Sequence, residues 1–304
     1  MSVPPSGSQP DTAHLPPYCA SRFRAVRRPT REVKVGVIHL LFFIVGGVAG
    51  CGTLPSQNSL SDNQEPQIFE GNISKLFGGN TAFTGTLHYL IGTADGAETT
   101  IGKVAYAEGK SSYQIDLSET VLSDSHGNST ASLEDKAKLK ASGMAIMTTI
   151  SRPDKERVYA VLPTLNTYLV QPHNYQLARP DSDLTTSIVE LGKEKVEGYD
   201  CVKNKITFTP KSGTPEIFTV WNAGALNNFP IQIQYIFKDT HFISLTFTDI
   251  KLEKPDDSVF EPPVDAKKFA DAQTLMWDVV TPRLDAMQDA SSGAPLAPTG
   301  APEK

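Results

Sequence analysis

The stretch that decides the fold is FPIQIQYIFKDTHFISLTFT, residues 229–248. Phe229, Ile231, Ile233, Tyr235 and Phe237 alternate with Gln232, Gln234 and Lys238. After a break at Asp239-Thr240, Ile243, Leu245 and Phe247 alternate with Ser244, Thr246 and Thr248. Successive strand side chains point to opposite faces, so period two means strands with one dry and one wet side. One wet side implies antiparallel pairing, because parallel sheets are covered on both faces.

The same pattern extends outward. Phe83, Gly85, Leu87, Tyr89 and Ile91 alternate with Thr84, Thr86 and His88. Further strands are expected at Thr99–Ala107, Ser111–Leu117, Ala145–Ser151, Arg157–Leu162, Thr167–Gln171, Tyr199–Thr209 and Ile217–Trp221. Turn residues separate most of them, among them Glu108-Gly109 and Lys211-Ser212-Gly213. Helices are few. Ser132–Ser142 opens with an N-cap serine and acids and carries lysines later, as the helix dipole prefers. Asp183–Leu191 reads as a second helix stopped by Gly192, and Asp265–Met287 as a third, interrupted near Pro282. The expected class is mostly β (α+β), a curved antiparallel sheet with a few helices packed on it.

Val35–Gly50 is an apolar run of sixteen residues without a formal charge. A spanning helix usually needs ~20 residues. Basic residues precede the run and small ones end it, which are the regions of a secretory signal. It closes on Val48-Ala49-Gly50-Cys51, which resembles the lipobox of bacterial lipoproteins. Cleavage there would leave Cys51 as the acylated N-terminus. Each buried methylene adds ~0.8 kcal/mol of membrane affinity, so several acyl chains hold firmly. The leader is long for a signal, and a start nearer Val26 or Val33 would account for that. Gly52 in place of an aspartate favours, by resemblance to the Gram-negative sorting rule, the outer membrane facing the periplasm.

The expected organisation is a leader over 1–50, a flexible tether over 51–68 and a β domain over 69–263. A helical segment over 264–288 and a disordered tail over 289–304 follow. Net charge is −6, yet the first fifty residues hold six basic and two acidic groups, leaving −10 for residues 51–304. An acidic body argues against nucleic acid as partner.

Four segments carry a family resemblance: MTTISRPDKERVYAVLPTLNTYLV (147–170), LGKEKVEGYDCVKNKITF (191–208), TVWNAGALNNFPIQIQ (219–234) and FTDIKLEKPDDSVFEPP (247–263). In this order they resemble the LolA/LolB-like clan of outer-membrane lipoprotein-sorting proteins, and within it an uncharacterised bacterial lipoprotein domain family. The resemblance implies an unclosed β-barrel with an apolar concave face. Trp221, Phe229, Ile231, Ile233, Tyr235, Leu245 and Phe247 are the expected lining for a hydrophobic guest, an acyl chain or lipoprotein cargo. The plainer reading makes each of them core, since apolar alternation is first a folding signal.

No catalytic residue, cofactor or metal ligand is expected. There is no G-x-S-x-G elbow and no H-E-x-x-H. Glu108-Gly109-Lys110-Ser111 resembles the end of a phosphate loop but lies between two strands, so a hairpin turn is expected. Asp256-Asp257 reads as a turn cap and Cys201 as a small buried side chain. Two functions remain: a lipid-anchored protein binding a hydrophobic ligand, and an envelope interaction or sensor module that transports nothing.

Overall fold

The computed structural model describes residue 69 and residues 71–93, 96–129, 132–173, 183–211, 213–237 and 241–292. The leader, Cys51, the tether and residues 293–304 lie outside the described residues; residues 289–292, expected to open the disordered tail, are the last turn of a helix instead.

Among the described residues thirteen strands form one sheet. They are β1 (Ala82–Thr93), β2 (Gly96–Ala107), β3 (Lys110–Asp116), β4 (Val121–Asp124), β5 (Ile146–Arg152), β6 (Arg157–Leu162), β7 (Thr167–Pro172), β8 (Thr185–Val196), β9 (Tyr199–Thr209), β10 (Glu216–Ala223), β11 (Phe229–Phe237), β12 (His241–Lys251) and β13 (Lys267–Phe269). Their order across the sheet is β13-β7-β6-β5-β3-β2-β1-β12-β11-β10-β9-β8, with β4 beside β2. The two ends do not pair, so the sheet is unclosed, as expected. Its ladders are antiparallel except β13–β7, which is parallel. Short turns join most neighbours, and Glu108-Gly109 makes the β2–β3 turn as its sequence indicated.

Helices cover one side. α1 (Leu133–Ser142) starts as expected: Ser132 Oγ accepts from the Asp135 backbone N–H at 3.0 Å. Near the C-terminus α2 (Ala272–Leu275) runs through a π-turn at Met276–Val280 into α3 (Thr281–Ser292). The π-turn comes just before Pro282, whose missing N–H cannot extend a regular ladder.

Two expectations are corrected. Asp183–Leu191 is not helical; most of it belongs to β8, and Gly192 lies at a register shift in the β8–β9 ladder instead of ending a helix. The helical segment expected from Asp265 begins later, because Lys267–Phe269 forms β13. The antiparallel rule also fails at that one pairing.

Three apolar clusters hold the sheet. The first lies on the inner face of β1, β2 and β9–β12 and includes Phe83, Leu87, Val220, Phe229, Ile233 and Phe247. The second continues along the same sheet, where Ile115, Met147, Leu162 and Leu169 meet Leu139 of α1 and Leu275 and Val280 of the C-terminal helices. Tyr113 packs against both. The third unites Ala105, Ala107, Ile150 and Val161 with Phe260 from a 3₁₀ turn at Asp257–Phe260. Asp256 caps that turn by accepting from the Ser258 N–H at 2.8 Å.

The turn carrying Phe260 is fastened by charge. Arg152, almost fully buried, donates to Asp154 (2.7 Å), to the Phe260 carbonyl (3.2 Å) and to Glu261. Lys155 adds a 2.6 Å bond to Glu261, and Lys110 pairs with Asp257 at 2.8 Å. Hydrogen bonding to Arg152 holds the Asp154 carboxyl below its ordinary range. Burial works against the charge on Glu261, but bonds from Lys155 and Arg152 outweigh it and hold that carboxyl low too. The R-P-D-K and K-P-D-D-S-x-F motifs, a hundred residues apart in sequence, are thus the two halves of one clasp.

Candidate functional site

The inner face of the first cluster is assembled by register. Across the sheet Tyr89 faces Leu245, Leu245 faces Ile233, and Ile233 faces Val220. One row on, Ile91, Ile243, Tyr235, Phe218 and Ile206 line up in the same way. Paired residues in antiparallel strands share a face, so these rows make one continuous apolar surface.

The residues singled out in the sequence come together here. Phe229, Ile231, Ile233, Leu245 and Phe247 are essentially without solvent exposure. Tyr235 is half-buried and stacks on Phe218 with ring centroids 4.8 Å apart. Burial, helped by the charge of Glu216, raises the pKa of its phenol. Trp221 sits where the β10–β11 ladder shifts register. Its indole N–H donates to Glu194, and Lys203 Nζ lies 4.7 Å from its ring centroid. Lys203 and Glu194 are themselves 3.4 Å apart, so the polar edge of Trp221 is occupied. Cys51 falls outside the described residues.

What covers the surface was not anticipated. A 3₁₀ segment, Gly71–Phe77, lies on it together with Phe69. Phe69, Ile73, Leu76 and Phe77 are buried in the first cluster. Phe77 stacks on Phe83 at 5.2 Å and meets Phe229 and Phe247 edge-on at 5.7 and 5.8 Å. Phe69 approaches Tyr106 at 5.8 Å and Phe247 at 6.3 Å. Polar ties also hold the ends of this plug. Asn72 Nδ2 donates to Glu216 at 2.8 Å; Asn80 Nδ2 donates to the Asn227 backbone carbonyl and Asn227 Nδ2 to Asn80 Oδ1, each at 3.2 Å. A signal for the plug was present in the sequence: apolar residues at 69, 73, 76 and 77 have helical spacing.

The second cluster is covered by the helices, and between the two stands Tyr113. Its hydroxyl is buried and has no hydrogen-bond partner among the described residues. Burial, with the charge of Glu98, raises its pKa. Cys201 is buried in the first cluster, where burial pushes its thiol up and away from reactivity.

An open antiparallel sheet whose apolar inner face is packed by segments of its own chain defines the class of this protein. No family profile and no curated protein matches the sequence. Among solved structures, an uncharacterised conserved protein from Thermus thermophilus is 10% identical, with 65% of this chain and 96% of that one covered at a TM-score of 0.36. A LolA superfamily protein from Nitrosomonas europaea is 13% identical, covering 62% and 93% at 0.29. The lipoprotein LppX of Mycobacterium tuberculosis is 11% identical, covering 58% and 90% at 0.30. Likenesses of this degree carry no argument about function, which rests on the residues of this chain.

Proposed function

We propose that this chain is an envelope protein, tethered by lipid on Cys51, that binds a hydrophobic ligand on the inner face of its open sheet. One observation carries the reading. The inner face of β1, β2 and β9–β12 carries one contiguous apolar cluster, and among the described residues Phe69 and the seven-residue segment Gly71–Phe77 lie over its aromatic centre. A surface of that kind needs a cover, and a short cover is exchangeable in a way that a second sheet is not. The V-A-G-C sequence at Val48–Cys51 supports the anchor.

The test is direct. The full chain with Cys51→Ser should yield lipid on organic extraction and mass spectrometry, and should bind a fluorescent fatty acid with saturable stoichiometry. Absence of both would remove the reading. The anchor has its own test: a palmitate analogue should label the wild type in cells and fail to label Cys51→Ser.

A specific observation favours a second reading. Phe83, Phe229 and Phe247 are already fully enclosed by the protein's own side chains. A tethered interaction module without a guest has no need to open that face. It would show neither lipid nor saturable probe binding.

A further inference from the structure

We propose that two copies of this chain associate edge to edge through β8, in one antiparallel register set by Glu190 and Lys193, so that the sheet runs on from one molecule into the next. This goes beyond the proposed function and does not depend on it.

β8 is twelve residues long, and among the described residues only β9 pairs with it. A long open edge presents a row of backbone donors and acceptors, whereas natural edges are usually short or blunted. The apolar row of Ile91, Ile243, Tyr235, Phe218 and Ile206 ends at Ile188, which is exposed. Residues 51–304 carry a net negative charge, so two copies repel at a distance, and a contact between them has to be complementary locally.

The register shift between Glu190 and Gly192 supplies that complementarity. Glu190 is opposite Asn204 and Lys193 is opposite Val202. Asn204 and Val202 are alternate residues of β9 and share a face, so Glu190 and Lys193 share it too. Through Ile206 and Asp200 the same shift puts Ile188 and Lys195 on that face. Through Lys205 and Cys201 it puts Val189 and Glu194 on the other. A two-fold axis perpendicular to the sheet preserves each face, so only residues of one face meet across such an edge. One register of two β8 strands brings each Glu190 opposite the other copy's Lys193. It also sets Ile188 opposite Lys195 and Val189 opposite Glu194, every pair on a common face. The lysine stem then lies along Ile188.

At the axis of this register Leu191 meets Gly192. Leu191 is exposed, and no heavy atom lies within 4 Å of where a Gly192 Cβ would stand, which leaves room for a leucine from the other copy. Glu194 is already engaged by Trp221 and Lys203, so the charges left to set the register are those of Glu190 and Lys193. Opposite charges directly across two strands attract and like charges repel, and two-fold symmetry makes each pair count twice.

The experiment reverses the charges. The background is the full chain with Cys19→Ser and Cys51→Ser, which keeps only the buried Cys201 and forms no disulfide-linked dimer. Sedimentation velocity over a concentration series should show a monomer–dimer equilibrium with Kd on the order of 10–100 μM, as a small interface gives. Glu190→Lys alone and Lys193→Glu alone should each weaken self-association at least about tenfold. An equimolar mixture of the two variants should associate again, because each pair across the edge is then a lysine against a glutamate. The double variant carrying both substitutions should self-associate like the background. Both side chains are exposed, so the variants keep the fold, and whatever the leader contributes is common to all of them. In deuterium exchange the amides of residues 185–196 should exchange fast in the dilute monomer and slow down as concentration rises through the Kd. A chain that stays monomeric to about 1 mM would overturn the proposal. So would a dimer that persists in both single variants, or a mixture that associates no better than they do. Each of these results leaves the proposed function standing.

Discussion

At the residue scale, the sharpest test of the packing is the aromatic centre. Phe247 is fully buried and meets Phe69, Phe77, Phe83 and Phe229 within 6.3 Å. Phe247→Ala should cost ~3–5 kcal/mol by denaturant titration, since a ring-sized void in this setting cannot collapse. Tyr113 predicts the opposite sign. Its buried hydroxyl lacks a partner among the described residues, so Tyr113→Phe should be neutral or stabilise by ~1 kcal/mol. A clear loss of stability would mean the hydroxyl is paired after all. Arg152 ties stability to pH. Asp154 and Glu261 titrate below their ordinary values in the folded state, so their contribution is complete above the unfolded carboxylate range. It is lost as pH falls through the lowered folded values, beneath the ordinary carboxylate range. Arg152→Met should therefore flatten the acid limb of a stability–pH curve. At neutral pH it should cost ~2–3 kcal/mol, less than a fully buried pair because both carboxylates keep contact with water.

At the element scale, what the sequence disclosed depended on how each strand is buried. β11 and β12 were plain because one face is dry and the other wet, which writes period two into Phe229–Phe237 and Ile243–Phe247. β8 shows no such alternation because neither of its faces is dry. Ile188, Val189 and Leu191 are 63%, 52% and 52% exposed, and among the described residues β8 pairs with β9 alone. With no burial to impose alternation, Leu184, Ile188 and Leu191 fell by chance at helical spacing, and Gly192 imitated a helix stop. β13 escaped notice because three residues are too few for a period. The plug is hard to read for a different reason: a seven-residue 3₁₀ segment carries a weak pattern, and its importance lies in what it covers. The candidate residues on the sheet were legible and their cover was not. The exposed edge makes a prediction of its own. Backbone amides of residues 185–196 should exchange with deuterium much faster than those of β1, which is paired on both sides. Equal protection would mean that the outer edge of β8 is covered in solution. In α1, Ser132→Ala removes the cap and should cost ~1 kcal/mol, read from the same titrations.

At the scale of the molecule, the question is whether two separately covered clusters behave as one. Size alone would allow an intermediate, because chains beyond ~100–150 residues often populate one. Continuity argues the other way. The ladders β1–β2, β2–β3 and β3–β5 carry hydrogen bonds without a break from the first cluster to the second, and Tyr113 packs against both. Losing either cluster strips neighbouring strands of the face that keeps them flat against their partners. The expected outcome is one cooperative transition. The two tryptophans make it measurable, because Trp221 belongs to the first cluster and Trp277 lies in the helical segment over the second. Single-tryptophan forms made by Trp221→Phe and Trp277→Phe should each report one transition that coincides with the loss of β-sheet circular dichroism. Leu139→Ala, which opens the second cluster, should weaken the Trp221 transition by the same ~2–5 kcal/mol as the Trp277 one. If only the Trp277 transition moves, the sheet is two units joined at β2–β3.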